Sequence, residues 1–88
     1  MAWTIEFDTT AATELKRLDR PVQQRIIHFL RKRITTCDDP RTHGKALRGD
    51  RGEFWRYRVG DYRLLCRIED DRLVVLVVTI DHRRDVYR

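Results

Sequence analysis

Glu53-Phe54-Trp55-Arg56-Tyr57-Arg58-Val59-Gly60-Asp61-Tyr62-Arg63-Leu64-Leu65-Cys66-Arg67-Ile68 decides how the rest of the chain folds. Successive side chains of a strand switch faces, so Trp55, Tyr57 and Val59 point one way while Phe54, Arg56 and Arg58 point the other. Gly60-Asp61 is a two-residue turn signal, after which Tyr62, Leu64, Cys66 and Ile68 resume a common side. This is a hairpin. Pairing Val59 with Tyr62 sets Arg58 opposite Arg63 and Arg56 opposite Leu65, all on the face away from Trp55, Tyr57 and Leu64. Like charges directly opposed across a sheet cost roughly 0.2–1 kcal/mol. A hairpin that keeps two arginines there uses them together on something negative; the plainer alternative is a solvated face of a basic protein.

The composition bounds the partner. Eighty-eight residues suffice for one sheet with one or two helices, so residues 1–88 read as a single domain. Nineteen Lys and Arg against 14 Asp and Glu leave a net charge of +5, and 41% hydrophobic residues still support a core. That balance favours phosphate-rich partners, a property shared by ribosome-associated, DNA-binding and lipid-surface proteins. The start Met1-Ala2-Trp3-Thr4 has no signal-peptide pattern, and the longest apolar run, Leu73 to Val78, is too short to span a bilayer, so a cytoplasmic protein is expected. Cys37 and Cys66 have neither disulfide-framework nor zinc spacing and read as reduced and structural. His28, His43 and His82 are scattered. Neither a metal nor a cofactor is expected.

The flanking chain reads as support. Trp3, Ile5 and Phe7 alternate with polar residues in a first strand. Asp8-Thr9-Thr10 supplies capping candidates for a short helix with Ala11, Leu15 and Leu18 on one stripe. Asp19 and Pro21 then open a longer helix, to about Thr36, with an apolar arc of Val22, Ile26, Ile27, Phe29, Leu30 and Ile34. Cys37 to Gly52 reads as an irregular surface connection carrying Lys45, Arg48 and Arg51. Glu69-Asp70-Asp71-Arg72 is a turn, and Leu73 to Ile80, apolar on both faces, is a central strand. The tail Asp81-His82-Arg83-Arg84-Asp85-Val86-Tyr87-Arg88 leaves that strand and is free to curl beside the arginines. The expected fold is α+β: a mainly antiparallel four-stranded sheet in the order β-α-α-β-β-β, with both helices on the Trp55/Tyr57/Leu64/Val75 face and Arg56, Arg58 and Arg63 in a groove on the other.

Five segments resemble the RelE/ParE toxin superfamily of type II toxin–antitoxin systems: Phe7 with Ala11, Leu15 and Leu18; Lys45-Ala46-Leu47-Arg48-Gly49; Trp55-Arg56-Tyr57-Arg58-Val59; Gly60-Asp61-Tyr62-Arg63-Leu64; and His82-Arg83-Arg84-Asp85-Val86-Tyr87. The last two are the most specific. The RelE-like branch implies a ribosome-dependent, metal-independent mRNA endoribonuclease that inhibits translation and is neutralised by a cognate RelB-like antitoxin in a toxin–antitoxin hetero-oligomer. The ParE branch shares the fold and implies a non-catalytic inhibitor of DNA gyrase; fold alone does not choose between them. Arg56, Arg58, Arg63, Arg83 and Tyr87 match the catalytic branch's basic residues and C-terminal tyrosine. The chain ends one residue after Tyr87, whereas some relatives continue.

Metal-free RNA cleavage needs a base for the 2′-hydroxyl proton, cations for the phosphorane oxygens and an acid for the departing 5′-oxygen, and yields a 2′,3′-cyclic phosphate. Arg56, Arg58 and Arg63 suit the second task. The resemblance makes Tyr87 the base and Arg83 the acid. An ordinary tyrosine, with a pKa of about 10, needs help from nearby cations to ionise. Arginine gives up its proton so reluctantly that phosphate stabilisation is the more natural role for Arg83. His82 is then a rival acid or base. Lys45, Arg48, Arg51, Arg67 and Arg84 extend the basic surface toward RNA and ribosome.

Overall fold

The computed structural model describes residues 2–47 and 54–82. In chain order the elements are β1 (Thr4–Phe7), α1 (Thr9–Lys16), α2 (Arg20–Phe29), a π-helical turn at Leu30–Ile34, a 3-10 turn at Pro40–Thr42, β2 (Lys45–Ala46), β3 (Phe54–Val59), β4 (Tyr62–Glu69) and β5 (Val74–His82). The sheet runs β1-β5-β4-β3-β2. The expected α+β architecture is present with one strand more than predicted. Lys45–Ala46, inside the stretch read as irregular, pairs antiparallel with Trp55 and Arg56. Two residues carry too little alternation to announce a strand. The sheet is antiparallel except at its far edge, where β1 lies parallel to β5.

Local chemistry sets the boundaries. Asp8 caps α1, its Oδ1 accepting from Thr10 N at 2.8 Å, whereas Asp19 stands at the start of α2 without a side-chain capping bond. The longer helix departs from expectation, because α2 ends at Phe29 and the chain continues to Ile34 as a wider turn. Thr35 and Thr36 then bond back with their hydroxyls to Arg31 O and Lys32 O. At the hairpin, Gly60 takes φ 59, the left-handed conformation that a type II′ turn asks of its first central residue. The register across it is the expected one: Val59 to Tyr62, Arg58 to Arg63, Arg56 to Leu65. The next turn lies later than predicted. β4 runs on to Glu69, Leu73 takes φ 52, and β5 extends from Val74 to His82 rather than from Leu73 to Ile80.

Both helices cover one face, α1 over β5 and α2 over β3. Between helices and sheet lie Ala11, Ile26, Leu30, Ile34, Tyr57, Leu64, Cys66, Val75 and Val77, with Trp3 and Ile80 at the margins. Apolar area removed from water is the main stabilising term, at roughly 25 cal/mol per Å². No helix among the described residues is long and apolar enough to cross a membrane.

One irregularity in the sheet governs the functional face. Between Leu65 and Cys66 the register with β5 slips, so that Leu65 pairs with Thr79 but Cys66 with Val77. Val78 is the extra residue of a bulge. Val75 and Val77 face the helices before it; after it the alternation is reversed and Ile80 faces them too. Beyond the end of β1, Glu14 of α1 takes over as partner to β5, its Oε1 accepting from Ile80 N at 2.8 Å.

The chain entering β2 is fastened from below. Tyr57 Oη donates to Pro40 O at 2.8 Å, Trp55 Nε1 donates to His43 O, and Arg41 donates through both terminal nitrogens to Asp70, at 2.9 and 2.7 Å. Gly44 takes φ 76, and a Cβ there would stand 2.3 Å from Arg56 O and 2.8 Å from Tyr57 Cδ1. Two expectations follow. Gly44→Ala destabilises the fold by about 2 kcal/mol or more in a urea titration, combining backbone strain with a clash against backbone. The Arg41 guanidinium holds the exposed Asp70 carboxyl below the ordinary carboxylate range. A carboxyl depressed on folding stabilises at pH above its unfolded value of about 3.9 and loses that contribution as pH falls through the folded value. In Arg41→Ala the Asp70 midpoint, followed by carbon NMR, therefore moves up, and the acid limb of the stability profile becomes less steep.

Candidate active site on the arginine face

The sheet face away from the helices carries Arg56 and Arg58 on β3 and Arg63, Leu65 and Arg67 on β4. Arg58 and Arg63 are direct cross-strand partners, and Arg56 lies one pleat away opposite Leu65. Side chains at such paired positions have Cβ atoms about 4.5–5.5 Å apart, within the span of one phosphate held by two guanidinium forks. Arg58 is exposed, and Arg56 and Arg63 are half-buried. Arg67 is exposed farther along the same face, opposite Phe54 and Leu76. Lys45, paired with Arg56, brings a further exposed cation to the edge.

Arg56 and Arg63 line a cleft of about 240 Å³ with Leu47, Leu65 and Asp81. Asp81 was assigned no role from sequence. It is the β5 partner of Arg63, and Thr79 Oγ1 donates to its Oδ2 at 3.4 Å. A carboxylate opposite an arginine offsets part of the like-charge repulsion. The bulge puts it there: with the alternation of Val75 and Val77 continued unbroken, Asp81 would face the helices and His82 the arginines. His82 instead pairs with Tyr62 on the helix side, the two rings edge to face with centroids 4.9 Å apart. The structure thus unites Arg56, Arg58, Arg63 and Asp81 and leaves His82 on the opposite side of the sheet. Arg48, Arg51, Arg83, Arg84 and Tyr87 lie outside the described residues.

Two other reactive groups have structural roles. Burial pushes the Tyr57 phenol well above its ordinary range, and it serves as a donor to Pro40 O. Burial likewise pushes the Cys66 thiol far up, removing it from thiolate chemistry. Cys37 is also a free thiol, half-buried and donating to Ile34 O at 3.0 Å. Among the described residues no group of three or more His, Cys, Asp or Glu could hold a metal ion.

Residues 5–87 match the family of the ParE toxin of the type II toxin–antitoxin system. The toxin RelG of Mycobacterium tuberculosis is 34% identical over 88 residues, covering 100% of this chain and 99% of that one. The mRNA interferase toxin RelE of Escherichia coli K12 is 27% identical over 84 residues, covering 94% of this chain and 85% of its own length. Among solved structures, a chain of the M. tuberculosis RelBE2 toxin–antitoxin complex superposes with a TM-score of 0.84 at 31% identity, over 94% of this chain and 93% of that one. A mutant of E. coli RelE in the free state superposes with a TM-score of 0.77 at 25% identity, over 99% and 92% of the two chains. Matched along nearly its whole length in both sequence and fold, the chain belongs to the RelE/ParE superfamily of type II toxins, in its RelE-like branch.

Proposed function

We propose that this toxin is a ribosome-dependent, metal-independent mRNA endoribonuclease that acts in the cytoplasm as a single domain and is neutralised by a RelB-like antitoxin. The observation that carries this reading is the direct pairing of Arg58 with Arg63, with Arg56 one pleat away, on the open face of the sheet. Opposed guanidinium groups suit the oxygens of a phosphorane, which they grip in a planar fork while staying charged. Similarity to a protein named as an mRNA interferase supports the same reading. Relatives solved in complex with RelB antitoxins support the partner.

In the proposed reaction the 2′-oxygen attacks the adjacent phosphorus, the bond to the 5′-oxygen breaks, and the products are a 2′,3′-cyclic phosphate and a 5′-hydroxyl. Arg56 and Arg58 hold the phosphate. Arg63, with Asp81 opposite it on β5, neutralises the charge that grows on the equatorial oxygens. Arg83 adds to that charge stabilisation and Tyr87 takes the 2′-hydroxyl proton, both roles resting on the family resemblance, and solvent water protonates the departing 5′-oxygen. Glu14 anchors β5 at Ile80, two residues before its last described residue. Lys45, Arg48, Arg51, Arg67 and Arg84 meet the surrounding RNA.

Binding and chemistry separate in a variant series on programmed ribosomes. Arg58→Ala weakens association and lowers its salt slope by about one unit, as expected for one lost phosphate contact. Arg63→Ala and Tyr87→Phe bind ribosomes nearly as the parent does and cleave about 10²–10⁴-fold more slowly. Asp81→Asn, which keeps the shape and removes the charge, lowers the cleavage rate less than Arg63→Ala does. Parental cleavage rates in Arg63→Ala and Tyr87→Phe together would overturn the roles assigned to them, and no cleavage by the parent on programmed ribosomes would abandon the nuclease. Inhibition of gyrase by all of these variants would then favour the ParE-like alternative.

A further inference from the structure

A second concavity lies where β2 peels away from β3. Pairing on that edge stops at Lys45 with Arg56, because the positive φ of Gly44 turns the chain off the sheet. The resulting notch, of about 470 Å³, is lined by Phe29, Thr42, His43, Gly44, Lys45, Arg56, Tyr57 and Arg58. That volume is in the range of pockets that enclose small molecules, about 300–1,000 Å³. Its chemistry differs from that of the Asp81 cleft. Among the described residues its lining holds three cations, Lys45, Arg56 and Arg58, and no carboxylate.

The floor is aromatic. Phe29 meets Tyr57 at 5.8 Å between centroids, and Tyr57 is fully buried, so Phe29 is the ring that remains partly open, with the half-buried His43 also in the lining. One wall is a strand edge. Leu47 N bonds to Phe54 O, and the Gly44 position abuts Arg56 O, so even-numbered residues of β3 turn their backbone groups toward β2. Arg58 is the next of these, and β2 no longer reaches it. Its N–H and C=O point into the notch. The notch therefore offers flat ring faces, a backbone donor–acceptor pair and a cationic rim, the combination that single-stranded nucleic acid meets in proteins that stack its bases and grip its phosphates. Bonds from the Tyr57 hydroxyl and the Trp55 indole to the loop carbonyls fix the loop wall beforehand.

We infer that the notch is a nucleotide subsite: it takes one nucleotide of single-stranded RNA, its base against Phe29 and the Arg58 backbone, its phosphate on Lys45. Arg56 lines both concavities, so a strand whose scissile phosphate lies in the Asp81 cleft passes over Arg56 and places a neighbouring nucleotide in the notch. The placement next to the scissile phosphate rests on the nuclease reading; the binding of a nucleotide does not. The occupant's base then influences where the toxin cuts.

Amide NMR of the purified chain, titrated separately with adenosine, guanosine, cytidine and uridine monophosphates, ribose 5-phosphate and inorganic phosphate, tests the subsite directly. At least one nucleotide is expected to shift the Gly44, Lys45 and Arg58 amides saturably, more tightly than ribose 5-phosphate or phosphate. Lys45→Glu and Phe29→Leu are each expected to weaken that binding by about tenfold. Lys45 is exposed, so its replacement keeps the test valid should Phe29→Leu unfold. If inorganic phosphate reproduces the nucleotide shifts at the same concentration, or Lys45→Glu binds like the parent, the subsite is overturned. It is equally overturned if an antitoxin peptide, and no nucleotide, shifts these amides. Cleavage maps distinguish the two readings. A parent that cleaves with the same base preference in Lys45→Glu removes the subsite and leaves the nuclease. Base-dependent shifts in a chain that cleaves nothing keep the subsite and remove the nuclease.

Discussion

Everything on the functional face depends on the register of one hairpin. Gly60, with its positive φ, closes a two-residue turn that admits one alignment of β3 with β4, and that alignment sets Arg58 against Arg63. A slip of one residue would carry the core side chains of the slipping strand, with Tyr57 or Leu64 among them, to the open face and its arginines into the core. Burial of those two residues therefore enforces the charge opposition on the other side. The helices, by covering one face, fix what the opposite face presents.

The repulsion so created is small, about 0.2–1 kcal/mol, against the burial of Tyr57, Leu64, Cys66, Val75 and Val77 beneath the helices. A fold can hold several guanidinium groups together when the other face of the same strands is fully packed. Asp81 makes the arrangement selective. It stands opposite Arg63 on β5, while Arg58 is paired with Arg63 itself.

The hairpin, its register and the helix-covered face were legible in the sequence because alternation in Trp55–Val59 and Tyr62–Ile68 is unambiguous and Gly60-Asp61 marks the turn. β2 was not legible, since a two-residue strand owes its existence to Gly44 fitting against Arg56 O rather than to any pattern of its own. The bulge was hidden for a different reason. Val74 to Val78 is apolar at every position, so no alternation exists whose interruption could be noticed, and the phase of the strand beyond it could not be read. That phase decides that Asp81, and not His82, shares the arginine face. The notch beside β3 escaped for the same reason as β2, being made where a strand too short to read comes to an end.

The central claim is that opposed arginines on this sheet stabilise a cleaving phosphodiester. The most direct test is to map RNA ends after brief expression of the chain, with the terminal groups determined. The account predicts new breaks within translated messages that carry 2′,3′-cyclic phosphate on one side and 5′-hydroxyl on the other, lost in Arg63→Ala. Unbroken messages in growth-arrested cells, or breaks bearing 3′-hydroxyl and 5′-phosphate, would contradict it.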